Sequence, residues 1–160
     1  MELINIYTDG SSIGTPGRGG YGLILEYKGK TKEFSEGFKL TTNNRMELLS
    51  VIIGLEKITK SGIPIIVYSD SKYVVDAVNK RWVFDWEKKG FNKKKNIDLW
   101  KRFLKIYKKY NVQFKWIKGH SGHAQNERCD ALAVSASSMS NLKEDKGYEK
   151  NQSNQNNLFN

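Results

Sequence analysis

The run Leu3-Ile4-Asn5-Ile6-Tyr7-Thr8 is β-rich and roughly alternating, which predicts a first strand ending at Asp9-Gly10. Gly14, Pro16, Gly17, Gly19 and Gly20 then predict a loop, with a second strand opening only at Tyr21 and running to Tyr27. Lys28-Gly29-Lys30 reads as a hairpin turn into a third strand, about Thr31 to Lys39, so the start is an antiparallel meander. From Arg45 to Ile58 the period becomes helical. Met46, Leu49, Ile52, Ile53 and Leu55 form a broad apolar face, and Thr41-Thr42-Asn43-Asn44 ahead of it supplies N-cap chemistry.

Ile63 to Tyr68 is a short, continuous apolar run, the pattern of a strand buried on both faces, and it ends at Ser69-Asp70. A helix follows from Ser71 to Asn79, then a helix and an exposed loop over 80–95. Residues 98–110 carry Leu99, Phe103, Leu104, Ile106 and Tyr107 on one side, an amphipathic helix. Val112 to Ile117 alternates as a strand, Gly119 to His123 is a loop, and Asn126 to about Ser137 is a final helix. The order β-β-β-α-β-α-α-α-β-α implies an α/β fold.

At 160 residues and 38% apolar content, the chain can bury one sizeable core and is too short for two ordinary domains. Residues 1–148 are expected to form that domain. Seven of the last ten residues are Asn or Gln, so a disordered tail is expected over 149–160. No bilayer-spanning apolar run and no signal-peptide pattern is visible, which points to a cytoplasmic protein without a membrane role. A single cysteine, Cys129, excludes an intrachain disulfide and disfavours a cysteine-based zinc site.

A net charge of +10 favours a polyanionic partner. Half of that surplus lies in residues 80–95, which hold seven basic and two acidic side chains. There Trp82, Trp86 and Phe91 interleave with Lys80, Arg81, Lys88, Lys89 and Lys93 to Lys95, a composition suited to tracking phosphates and packing on sugars or bases. The plainer reading is a helix with tryptophans in the core and solvated lysines.

Asp9 and Asp70 each follow an apolar strand, where open α/β sheets collect ligands. If those strands are parallel neighbours, the two acids lie side by side. Taken singly, Asp9 reads equally as a turn residue, Asp70 as a helix cap, Glu47 as an exposed helix position and Asp130 as a salt-bridged surface acid. Together with a basic aromatic segment, clustered carboxylates suggest a site for hard divalent cations, two of which about 3.5–4 Å apart can promote phosphodiester hydrolysis. His120 and His123 are the groups of near-neutral ordinary pKa, suited to a proton shuttle; a turn role or a zinc fragment with Cys129 are the alternatives.

The blocks Tyr7-Thr8-Asp9-Gly10-Ser11, Thr41 to Leu48, Tyr68-Ser69-Asp70-Ser71, Asn96-Ile97-Asp98-Leu99-Trp100 and Trp116 to Asp130 closely resemble the bacterial-type ribonuclease H, type 1, in unbroken order from about residue 2 to 148. The resemblance implies a ribonuclease H-like fold, a five-stranded mixed sheet flanked by helices. It also implies hydrolysis of the RNA strand of RNA–DNA hybrids to leave 3′-hydroxyl and 5′-phosphate ends. By that resemblance Asp9, Glu47, Asp70 and Asp130 hold two Mg²⁺ ions, with Mn²⁺ as a substitute, and the catalytic-loop histidine falls on His120 rather than His123. It places Gly10, Ser12, Asn43 and Ser71 against the RNA strand, Thr42 and Asn44 against the DNA strand, and residues 80–95 in a handle gripping the hybrid through Trp82, Trp86, Lys88, Lys89 and Phe91. The 2′-hydroxyl would be read by the Gly10 carbonyl or the Asn43 amide.

Two features depart from the family pattern: a handle several residues shorter between Gly90 and Asp98, and Lys72 in place of an amide side chain. No N-terminal hybrid-binding domain is expected ahead of the first strand, and a monomer is expected. Two other readings stay open: a non-catalytic duplex-binding module, and another nuclease or polynucleotidyl transferase of the same fold.

Overall fold

The computed structural model describes residues 2–148. Five strands form one sheet in the order β3-β2-β1-β4-β5. β1 (Ile4–Ser12), β2 (Gly17–Tyr27) and β3 (Lys30–Thr41) pair antiparallel, while β4 (Ile65–Ser69) joins β1 in parallel and β5 (Val112–Trp116) joins β4 in parallel. The helices are α1 (Asn43–Glu56), α2 (Lys72–Asn79), α3 (Trp82–Lys88), α4 (Ile97–Tyr107) and α5 (Ala124–Ser137). This is the α/β class expected from the order of elements and the five-stranded mixed sheet implied by the resemblance. The tail expected over 149–160 lies outside the described residues.

The meander differs from its prediction in one respect that matters for the site. β1 does not stop at Asp9 but pairs on through Ser12, and β2 begins at Gly17 within the glycine-rich stretch. Asp9 thus faces Gly22 across the ladder, and Ser11 faces Gly20. The glycines serve packing here. A Cβ on Gly20 would sit 2.6 Å from the Ala133 carbonyl oxygen, and one on Gly22 would sit 2.4 Å from that of Cys129, so bare backbone lets α5 lie against the sheet. The Lys28-Gly29 turn is as expected, both residues having positive φ, as a two-residue hairpin of primed type requires.

On the opposite face lies α1. A Cβ on Gly54 would approach the Ile6 side chain at 2.8 Å, and the helix is buried almost all round, from Arg45 to Ile52 and again at Gly54 and Leu55. It is not the one-sided amphipathic helix predicted, because α4 covers the face that the sheet does not. The main core spans Ile6, Leu23, Met46, Leu48, Ile52, Val67, Trp100 and Phe103, whereas Tyr7, Ile24 and Cys129 form a small cluster under α5. β4 is buried at Ile65, Val67 and Ser69 but only half-buried at Ile66 and Tyr68, so its outer face is less covered than its continuous apolar sequence implies.

α1 starts two residues earlier than predicted because Thr42 caps it, its hydroxyl accepting from the Arg45 N–H at 3.2 Å. Ser71 caps α2 by accepting from Val74 N–H at 3.3 Å. Beyond α3 the chain turns back through Phe91, which is 3% exposed and donates its N–H to the Trp86 carbonyl at 2.8 Å. The sequence reading of Phe91 as an exposed contact is therefore corrected: its ring is part of the core, anchoring the handle. Among the described residues no helix is long and apolar enough to cross a membrane.

Candidate active site

The parallel register Tyr7↔Tyr68 brings Asp9 on β1 beside Asp70 just past the end of β4, and Thr8 ties the pair by donating to the Tyr68 carbonyl at 3.0 Å. Glu47 comes from α1, which crosses β1 at Gly10. A Cβ on Gly10 would lie 2.2 Å from the Glu47 nitrogen, so only glycine lets the first turn of the helix close onto the strand. One carboxylate oxygen from each of Asp9, Glu47 and Asp70 lies within 4.8 Å of the others. Asp130, half-buried on α5, stays outside this triad but is near enough for its charge to act on Asp9.

Asp9 and Glu47 are each 4% exposed. Asp9 accepts from the Gly10 N–H at 2.9 Å. Burial pushes its carboxyl up to about 7; the charges of Asp70 and Asp130 add to the rise, and bonds from Glu47 and Gly10 oppose it. Glu47 is raised well above its ordinary value, first by burial and then by Asp9 and Asp70. Its Oε2 is buried with no hydrogen-bond partner among the described residues. Two buried acids beside the half-buried Asp70, with an orphaned oxygen, are costly in isolation and fit a hard divalent cation, which would satisfy the oxygen and offset the repulsion.

The two histidines separate. His120 is exposed in the loop after β5 with a positive φ of 53°, while His123 caps α5, its Nδ1 accepting from the Asn126 N–H at 3.2 Å. Cys129 is buried, its Sγ 3.3 Å from the Tyr7 carbonyl oxygen, and is not gathered with the histidines into a zinc site among the described residues.

Gly10 and Ser12 lie on β1, Thr42 is half-buried in its capping role, Asn43 and Asn44 are exposed at the start of α1, and Ser71 is half-buried at the start of α2. On the handle, Trp82 is 45% exposed, Lys88 and Lys89 are exposed, and Trp86 is half-buried edge-on to Trp100. A groove of about 390 Å³ runs between Tyr73, Trp82, Trp86 and Lys93 to Lys95, with Lys94 over the Trp86 ring at 5.0 Å.

Sequence reasoning missed three parts of the surroundings. Arg45, 1% exposed, pairs with Asp98 and Asp145 at 2.7 Å each and so ties α1 to α4 and to the segment before Tyr148. Trp116, 44% exposed, donates its indole N–H to the Asp70 carbonyl at 3.1 Å and carries Lys72 over its ring at 4.8 Å. Asn126, 2% exposed, reaches the Asp70 carboxylate. Arg45 alone left a signal, a cation inside a run of core positions.

Residues 1–138 match the family model described as RNase H. A ribonuclease H of Desulforamulus reducens is 52% identical over 147 residues, 89% of this chain and 92% of that protein. One of a Shewanella strain, MR-4, is 48% identical over 154 residues, 93% of this chain and 96% of its own. Among solved structures, LC9-RNase H1, described as a type 1 RNase H with the type 2 active-site motif, superposes with a TM-score of 0.74 at 33% identity, covering 94% of this chain and 80% of that one. LC11-RNase H1 in complex with an RNA/DNA hybrid gives 0.59 at 27% identity, covering 83% and 95%.

Proposed function

The chain belongs to the ribonuclease H family and is an endonuclease for the RNA strand of RNA–DNA hybrids; we propose that it does this chemistry at Asp9, Glu47, Asp70 and Asp130. The observation that carries this assignment is the triad of buried Asp9 and Glu47 with half-buried Asp70, in which a Glu47 oxygen has no partner among the described residues. The family depends on metal, and Asp9, Glu47 and Asp70 are the residues that would hold it, with Asp130 completing the site. Two Mg²⁺ ions, or Mn²⁺ in their place, would supply an activated water and charge stabilisation at the leaving oxygen, giving 3′-hydroxyl and 5′-phosphate ends.

The chain's own groups divide the remaining work. Asp9 and Glu47, sunk between β1 and α1, exclude water from one side of the site. His120, exposed on a loop, accepts or returns a proton as product departs. Gly10, Ser12, Asn43 and Ser71 face the RNA strand, and Thr42 and Asn44 the DNA strand. The hybrid extends onto the handle, where Trp82, Trp86, Lys88 and Lys89 meet its backbone; the exposed Lys88 and Trp82, and Lys89, exposed though paired with Asp85 at 3.1 Å, support this. The proposal includes a monomer acting in the cytoplasm.

The test is Asp70→Asn and Glu47→Gln assayed on a labelled hybrid with Mg²⁺. Loss of roughly a thousandfold or more in kcat is expected, the size of several kcal/mol of lost charge stabilisation. Undiminished cutting by either variant would remove that residue from the mechanism.

A further inference from the structure

The β5–α5 connection reaches Asp70 at two points. A Cβ on Gly119 would lie 2.7 Å from Asp70 Oδ2 and 3.4 Å from its Cγ, so any side chain there would displace the carboxylate. Asn126 Nδ2 stands 3.4 Å from the same Oδ2. Asn126 is almost fully buried, and a buried amide must find acceptors for its N–H groups. Among the described residues the acceptor it reaches through its side chain is Asp70.

The placement of Asn126 is itself referenced to the strands that carry the acids. Its backbone N–H is capped by His123, whose ring lies 5.7 Å from that of Tyr7 and 6.4 Å from that of Tyr68. Tyr7 and Tyr68 stack at 4.7 Å and are register partners on β1 and β4, each two residues before an acid of the triad. The first turn of α5 is thus pinned to the same two strands, and Asn126 projects from it onto Asp70.

We infer that Asn126 is a positioning residue for Asp70: it donates to Oδ2 and, with Gly119 leaving the space, holds the carboxylate facing Asp9 and Glu47. The inference rests on the reading of the triad as a cation site. An amide suits the task because it supplies a hydrogen bond without a positive charge that would compete with the cation. Outer residues that orient metal-binding carboxylates typically contribute 10- to 100-fold in metal affinity.

The test titrates Mn²⁺ calorimetrically into cation-free wild type, Asn126→Ala and Gly119→Ala, with thermal melts to establish folding. The kcat and KM for a hybrid are then followed against Mg²⁺ concentration. Both variants should bind Mn²⁺ about 10- to 100-fold more weakly and lose kcat at low Mg²⁺ but recover it at high Mg²⁺, with KM for the hybrid unchanged. Wild-type affinity in folded Asn126→Ala would overturn the inference, and if that variant does not fold, Asn126→Ser, which removes the amide donor, decides in its place. A wild type that neither binds Mn²⁺ nor cuts hybrid would instead contradict the site assignment itself.

Discussion

Asp9 carries the tension of the site at the scale of one side chain. Its carboxyl is raised from 3.8 to about 7, chiefly by burial, so between those values the folded state holds a proton that the unfolded state has released. Stability of the cation-free protein must then fall as pH rises across this window. Asp9→Asn removes the titration, and its melting temperature should gain on wild type progressively from pH 4 to 7 in chelator; parallel curves would contradict the burial argument. Saturating divalent cation should close the gap. Lys72 poses a second question at this scale, because a cation at the first position of α2 opposes the helix dipole and finds its compensation over the Trp116 ring, beside Asp70. A hybrid phosphate met by Lys72 would account for it. Lys72→Gln should then lower the slope of log Kd against log salt by about 0.9, one phosphate contact, and an unchanged slope would leave Lys72 with its packing on Trp116 alone.

Among elements, the handle shows how a single segment divides between core and surface. Trp82 is exposed while Phe91 is buried and Trp86 lies against Trp100. Phe91→Ala should cost about 3–5 kcal/mol in denaturant unfolding, as for other buried aromatic truncations. Trp82→Ala should leave unfolding unchanged and weaken hybrid binding; the reverse pattern would invert the assignment. Composition could say that residues 80–95 are basic and aromatic, but not which ring faces inward, since that depends on α4 arriving from later in the chain. The same limit explains the glycine-rich stretch of β2. Glycines read locally as a loop, yet Gly20 and Gly22 are strand residues because α5, more than a hundred residues on, needs bare backbone beneath it.

Across the whole molecule, the element order and the antiparallel opening were legible from periodicity, the five-stranded mixed sheet was implied by the family resemblance, and side-by-side placement of Asp9 and Asp70 followed once their strands were taken as parallel neighbours. Glu47 was legible only in part: its burial depends on Gly10 admitting α1 to β1, a contact that no local pattern reports. Arg45 and Asn126 were read only as helix positions and not for their bonds, since Asp145 and Asp70 lie 100 and 56 residues away. Arg45 joins α1, α4 and the segment around Asp145, its bonds holding Asp98 below its ordinary pKa although burial alone would raise it. Arg45→Ala removes the cation that pairs the exposed Asp98 and the buried Asp145, leaving Asp145 only neutral donors from Thr41 and Tyr148 among the described residues, and should destabilise the fold by about 3–5 kcal/mol in urea; a loss below about 1 kcal/mol would show that the tie is incidental. All these ties converge on one arrangement, buried acids beside a basic handle. Its most direct test is to incubate end-labelled RNA–DNA hybrid, RNA duplex and DNA duplex with the protein, with and without Mg²⁺. Cutting of the RNA strand of the hybrid alone, and only with Mg²⁺, is the predicted result. Equal cutting of either homoduplex, or hybrid cleavage that persists in chelator, would contradict the account.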